Sequence, residues 1–241
     1  MPYRMKIGGL QKFSLIDYPG KIAAIVFTQG CNFRCPYCYN PELVDPAQFR
    51  EPLDEKEIFS FLEARRGRLD GVVITGGEPT LQPDLMDFIC RIRELGFSVK
   101  LDTNGSNPQV LQSLIDRGVL DYIAMDIKAP LTGRKSDPEN RYASVTRSSV
   151  SSEDIRRSID LIISSGIDHE FRTTVTTGCL QRGDYLNMAK AIKGAKKYAL
   201  QKFVPTKVLD AEQLNTKPPS DGDLEKLRKA LGKYVGKVIV R

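Results

Sequence analysis

Short apolar, β-branched runs alternate along this chain with stretches of helical period, and that alternation restricts the fold more than any other feature. The runs predict strands at Ile22–Thr28, Val72–Thr75, Phe97–Asp102, Tyr122–Ile127, Glu170–Thr174 and Lys202–Val204. Helical patterns lie between them at Asp54–Arg65, Gln82–Leu95, Pro108–Arg117, Ser152–Ser164 and Tyr185–Lys197. Start and stop signals agree with these spans. Asp54 stands ahead of Glu57, Asn107 precedes Pro108, and Ser151 and Ser152 lead into Glu153-Asp154, while Gly96, Gly118 and Gly166 close three of the helices. Alternation of this kind builds parallel β/α units. The expected class is therefore α/β, and six units make either a doubly wound sheet or an incomplete barrel.

Residues 1–21 form a short β-rich lead-in that ends in the turn Asp17-Tyr18-Pro19-Gly20. Residues 22–204 are the expected core. Within it, 133–149 is polar, without periodicity, and predicts a long loop of the kind that often carries function. Residues 205–241 are an extension, linker-like through Pro218-Pro219 and closed by a helix near Asp223–Leu231.

Composition narrows the class. A chain of 241 residues that is 41% hydrophobic and 27% charged can bury a core, and is neither disordered nor fibrous. The longest clean apolar run, Ile22 to Phe27, is strand-sized, so no bilayer span is expected. No apolar stretch follows the charges of Met1 to Lys6, which argues against a secretory signal and for a reducing cytoplasmic setting. The net charge of +6 is uneven: residues 193–241 hold 12 Lys and Arg against 5 Asp and Glu. That segment reads first as a solvated face, with a docking surface for an acidic partner as the alternative.

Five cysteines are an odd number, and three of them crowd into Cys31-Asn32-Phe33-Arg34-Cys35-Pro36-Tyr37-Cys38. This segment follows the first strand at its C-terminal end, where parallel α/β sheets place their chemistry. Its Asn, Arg and Pro residues make it a polar loop and not a packed core element. Structural zinc wants four ligands, and the single His169 is 131 residues beyond Cys38. Three thiolates on a four-iron, four-sulfur cluster leave one iron open to an outside ligand. Cys90 lies among Leu85, Phe88, Ile89 and Ile92 and reads as a core or near-core thiol, Cys179 as a loop thiol, and His169 as structural. Gly76-Gly77-Glu78-Pro79 ends the second strand, where two glycines permit close backbone approach to a ligand and the acid can accept from an ammonium group.

The C-x3-C-x2-C segment, with Tyr37 before its last cysteine, resembles that of the radical S-adenosylmethionine (SAM) enzymes. The resemblance implies a partial (β/α)6 barrel and a [4Fe–4S] cluster held by Cys31, Cys35 and Cys38. The open iron would bind the amino and carboxylate groups of SAM, and one electron would cleave it to methionine and a 5′-deoxyadenosyl radical. Tyr37 would lie against the adenine, and Gly76, Gly77 and Glu78 at the methionine amino group. Asp102-Thr103-Asn104-Gly105, Met125-Asp126-Ile127-Lys128 and Arg172 are similar to segments of the glycyl-radical-enzyme activases. There the segments carrying Asp102, Thr103, Asn104, Asp126 and Lys128 would hold the methionine and ribose end, the two acids helping to site a monovalent cation, and Arg172 would face the cofactor.

Ser14-Leu15-Ile16-Asp17-Tyr18-Pro19-Gly20-Lys21, followed by Phe27-Thr28-Gln29-Gly30-Cys31, also resembles the opening of those activases. Within that group the resemblance is to activases of anaerobic ribonucleoside-triphosphate reductase, in a longer form that also looks like pyruvate formate-lyase activating enzyme. Tyr39 departs from it, since many activases have His there. The implied partners are a glycyl-radical protein as substrate and a flavodoxin- or ferredoxin-type electron donor, without membrane or nucleic acid. Two other readings are a radical SAM enzyme acting on a small molecule and a zinc module that binds nucleic acid through the basic tail. The opening segment through Lys21 favours the activase over the first, and the scarcity of aromatics in the tail disfavours the second.

Overall fold

The computed structural model describes residues 5–132 and 140–241. In chain order the elements are β1 (Ile7–Ser14), β2 (Ala23–Thr28), α1 (Pro41–Val44), α2 (Glu55–Glu63), β3 (Gly71–Gly76), α3 (Leu85–Glu94), β4 (Ser98–Thr103), α4 (Pro108–Asp116) and β5 (Tyr122–Asp126). They continue with α5 (Arg141–Thr146), α6 (Ser152–Ser164), β6 (Asp168–Val175), α7 (Arg182–Ala191), β7 (Lys197–Lys202), α8 (Asp221–Leu231) and β8 (Lys237–Val240). The class is α/β, as expected. Strands β2–β3, β3–β4, β6–β7 and β7–β8 pair in parallel, and β1 runs antiparallel to β2.

The described residues divide into two compact units, 5–32, 42–103 and 109–123 in one, and 33–41, 104–108, 124–132 and 140–241 in the other. In the first, Ala23 to Val26 of β2 and Gly71 to Ile74 of β3 are buried without alternation, as strands covered on both faces should be. Helix α3 buries Leu85, Phe88, Ile89 and Ile92, a single stripe at helical spacing. It ends at Gly96, whose φ of +90° lets the chain reverse where a side chain would be strained. Asp54 caps α2 by accepting from the Lys56 N–H, as its position predicts.

In the second unit, α6 buries Ile155, Ile159 and Ile162, and Ser151 caps it through the Glu153 N–H. The helix expected to reach Lys197 stops at Ala191, and the strand expected at Lys202–Val204 lies at Lys197–Lys202. Only Tyr198, Ala199 and Leu200 are buried in that strand, and its lysine and glutamine flanks mimic a helix face. Strand β8 was not anticipated; its apolar run Val238 to Val240 is too short to stand out. Residues 141–146, read as part of a long loop, form α5, capped by Asn140 through the Ala143 N–H, while 133–139 lie outside the described residues. His169 is structural as expected: its buried ring pairs Nδ1 with the Ile167 carbonyl and accepts at Nε2 from the Lys196 N–H, and burial lowers its pKa. Among the described residues no helix is long and apolar enough to cross a membrane.

β8 is fastened by more than its ladder. Arg241 donates from both terminal nitrogens to the Glu170 carboxylate at 2.9 Å each, and that carboxylate is 1% exposed with Lys197 3.6 Å away. Losing one partner of a buried pair strands a charge. Arg241→Ala should therefore destabilise the protein by on the order of 2 kcal/mol, the low side because Lys197 remains and Arg241 is partly solvated. Urea unfolding at neutral pH measures this, and an unchanged midpoint would show that Lys197 suffices.

Candidate functional site

In the first unit Thr28 and Gly76 are cross-strand partners at the C-terminal ends of β2 and β3. Beyond them the two segments stay joined through the backbone: Gly77 N–H donates to the Thr28 carbonyl and Glu78 N–H to the Gly30 carbonyl, both at 2.8 Å. The Gly-Gly-Glu turn thus lies against the residues that lead directly into Cys31. A Cβ on Gly77 would stand 2.0 Å from the Gly30 oxygen, and one on Gly76, where φ is +123°, 2.3 Å from the Thr28 nitrogen. Only glycine fits either place.

Glu78 is fully buried. Its Oε1 accepts from the Thr80 N–H at 3.1 Å, the Thr80 hydroxyl at 2.6 Å and the Thr103 hydroxyl at 2.6 Å. Thr103 and Glu78, singled out separately in the sequence, are therefore brought together, with Thr103 fixing the carboxylate. Within β4, Lys100 and Asp102 share one face of the strand and form an ion pair, with the Lys100 side chain 1% exposed. Lys100 gave no sequence signal, since one lysine in an apolar run looks like a surface position.

In the second unit the Cys38 N–H donates to the Cys35 carbonyl at 3.0 Å, closing the turn that sets the spacing of these two cysteines. Cys35 is buried and Cys38 half-buried, Cys31 is half-buried, and none of the five cysteines is in a disulfide. A strap from the far end of β7 holds this turn. Asp210 N–H donates to the Pro36 carbonyl and Leu209 N–H to the Cys38 carbonyl, both at 3.0 Å. Tyr39 stacks on Phe203 with centroids 5.9 Å apart, and its hydroxyl accepts from the Val204 N–H at 2.8 Å. The Asp210 carboxylate in turn accepts from Arg147 at 2.6 Å, and the Arg34 N–H donates to the Thr146 carbonyl at 2.8 Å. Tyr37 is buried, and burial first, then neighbouring Cys35 and Tyr142, raises its phenol well above the usual range, so it stays neutral.

Asn104 folds back on itself, its side-chain oxygen accepting from the Ser106 N–H at 2.9 Å. Asp126, at the end of β5, receives Arg172 Nε at 3.0 Å and Lys128 Nζ at 3.1 Å. The Arg172 side chain is only 13% exposed, held against Asp126. Burial pushes the Asp126 pKa up, but the Arg172 and Lys128 cations outweigh it and bring it down to about 2. The Lys128 N–H donates to the hydroxyl of Tyr142, a fully buried residue of α5 that sequence reading missed inside a polar stretch.

The donor set suits an iron–sulfur cluster: three thiols within eight residues, none in a disulfide. Among the described residues no three His, Cys, Asp or Glu side chains gather as ligands of one metal ion. A four-iron cluster is a wider body than one ion, and its thiolates stand farther apart than the ligands of a single zinc.

The radical SAM superfamily model matches residues 25–192. A Methanocaldococcus jannaschii protein, provisionally named a glycyl-radical enzyme activating enzyme, is 33% identical over 240 residues, 98% of this chain and 95% of that one. A pyruvate formate-lyase-activating enzyme from Clostridium pasteurianum is 33% identical over 128 residues, 51% of this chain and 52% of that one. Among solved structures, QueE from Escherichia coli aligns with a TM-score of 0.56 at 16% identity, covering 98% of this chain and 93% of its own, a likeness of fold.

The Asp126 cluster has a consequence for acid stability. Its carboxyl titrates near 3.8 when unfolded and at about 2 when folded, so the unfolded chain takes up the proton first. The stabilisation it brings, on the order of 2 kcal/mol, is present above pH 4 and lost as pH falls toward about 2. Asp126→Asn should lower stability at pH 7 and flatten the acid limb of a pH series of urea midpoints. A variant whose acid limb parallels wild type would refute the assignment.

Proposed function

We propose that this chain, which belongs to the radical SAM superfamily, generates a glycyl radical on a partner enzyme. The superfamily implies a [4Fe–4S] cluster and SAM, which together supply a 5′-deoxyadenosyl radical when reduced by one electron. In this reading Cys31, Cys35 and Cys38 hold the cluster. Gly76 and Gly77 let the backbone approach the methionine end of SAM, and Glu78, fixed by Thr80 and Thr103, accepts from its amino group. Tyr37 lies at the adenine, and Asp102, Asn104, Asp126, Lys128 and Arg172 line the methionine and ribose end. The chemistry the group would supply is removal of the Cα hydrogen of a backbone glycine in the partner, which would leave a glycyl radical, 5′-deoxyadenosine and methionine.

The observation that carries this reading is the likeness to the Methanocaldococcus jannaschii protein, which extends over 98% of this chain and so is not confined to the cofactor motifs. The finer proposal names anaerobic ribonucleoside-triphosphate reductase as the partner, a flavodoxin- or ferredoxin-type donor as the electron source, and the cytoplasm as the compartment.

Anaerobic reconstitution with iron and sulfide, followed by reduction with SAM, should yield 5′-deoxyadenosine, and mixing with the reductase subunit should add a glycyl-radical resonance signal. Deoxyadenosine without that signal would overturn the choice of partner; a full cluster without deoxyadenosine would overturn the chemistry. Cys35→Ala should lose cluster and product together. Gly77→Ala should keep the cluster yet weaken SAM binding by at least about tenfold, measured by equilibrium dialysis, because its Cβ would force the cradle apart.

A further inference from the structure

We infer that the Lys100 ammonium occupies the cation position beside Asp102, so that this chain binds SAM without an exogenous monovalent cation. The resemblance places a monovalent cation at the two strand-end acids, and the residues present do not fit that expectation. Asp102 already pairs with Lys100, whose side chain is 1% exposed, and Asp126 already receives Arg172 and Lys128. The two-residue spacing on β4 puts Lys100 and Asp102 on one face, so the pair is built into the strand and not borrowed from a loop. The ammonium also sits 5.9 Å from the centroid of the Tyr122 ring, whose face attracts a cation.

A buried lysine is expensive unless a carboxylate meets it, and a buried aspartate has the same need. Each satisfies the other here. A potassium or sodium ion brought to the same carboxylate would stand close to a fixed positive charge in a poorly solvated place, where like charges repel strongly. The lysine thus does permanently what a dissociable ion would do only at sufficient concentration: it neutralises Asp102 beside the segment proposed to hold the methionine end of SAM. Lys100 is a positioning residue in this account.

The inference rests on SAM binding and not on the identity of the protein partner, so a failed glycyl-radical assay and a failure here are separable. The test is the SAM dissociation constant of the reconstituted protein in potassium, sodium or tetramethylammonium chloride at equal ionic strength. Wild type should bind SAM equally in all three, within about twofold. Lys100→Met keeps most of the length of the side chain and removes its charge. It should bind SAM about tenfold or more tightly in potassium or sodium than in tetramethylammonium. Lys100→Arg should behave as wild type. A wild type that itself binds about tenfold tighter in potassium or sodium overturns the inference, as does a folded, cluster-loaded Lys100→Met with no salt preference. Should Lys100→Met fail to fold, the wild-type salt series alone decides.

Discussion

Two backbone hydrogen bonds, from Gly77 to Thr28 and from Glu78 to Gly30, fix the arrangement on which the rest of the site depends. Each contributes only about 1 kcal/mol net. Their weight is steric: they bring two chain segments so close that no Cβ can enter, which sets the height of the Gly-Gly-Glu turn against the start of the cysteine loop. Parallel pairing of β2 with β3 delivers both segments to the same edge of the sheet, so one register decides where the first cysteine and the buried glutamate stand.

Around that frame, three charged groups are answered by fixed partners. Glu78 takes a backbone amide and two hydroxyls, Lys100 takes Asp102, and Asp126 takes a guanidinium and an ammonium. Such groups are set before any ligand arrives and need little reorganisation when one binds. The cost is a fold that is sensitive at these positions to loss of a single partner, since an unpaired charge in the interior is worse than none.

The parts legible in the sequence are those whose chemistry demands a fixed local spacing. β2 to β6 announce themselves as β-branched runs, the helix caps as Asp54 and Ser151, and the cysteine and Gly-Gly-Glu motifs as short patterns at strand ends. What could not be read depends on distant residues. β7 is a three-residue apolar core inside polar flanks, and it is a strand because β6 and β8 pair with it. Tyr142 looks like one aromatic in a polar stretch until its hydroxyl meets the Lys128 N–H. Lys100 is an unremarkable letter until Asp102 and the ring of Tyr122 surround it. Arg147 and Asp210 are 63 positions apart, and Tyr39 and Val204 are 165 apart, too far for any local pattern to connect.

The strap from Phe203 to Asp210 carries a further implication. Two carbonyls of the cysteine turn, those of Pro36 and Cys38, find their donors in residues near the other end of the chain. During synthesis the turn is made long before the strap exists, and until β7 emerges and folds those carbonyls can turn only to water. The cysteine turn therefore reaches its final shape late. A chain cut after β6 would keep all three cysteines yet lack the N–H donors that hold the Pro36 and Cys38 carbonyls, so the settled shape of that turn is a property of the nearly finished protein.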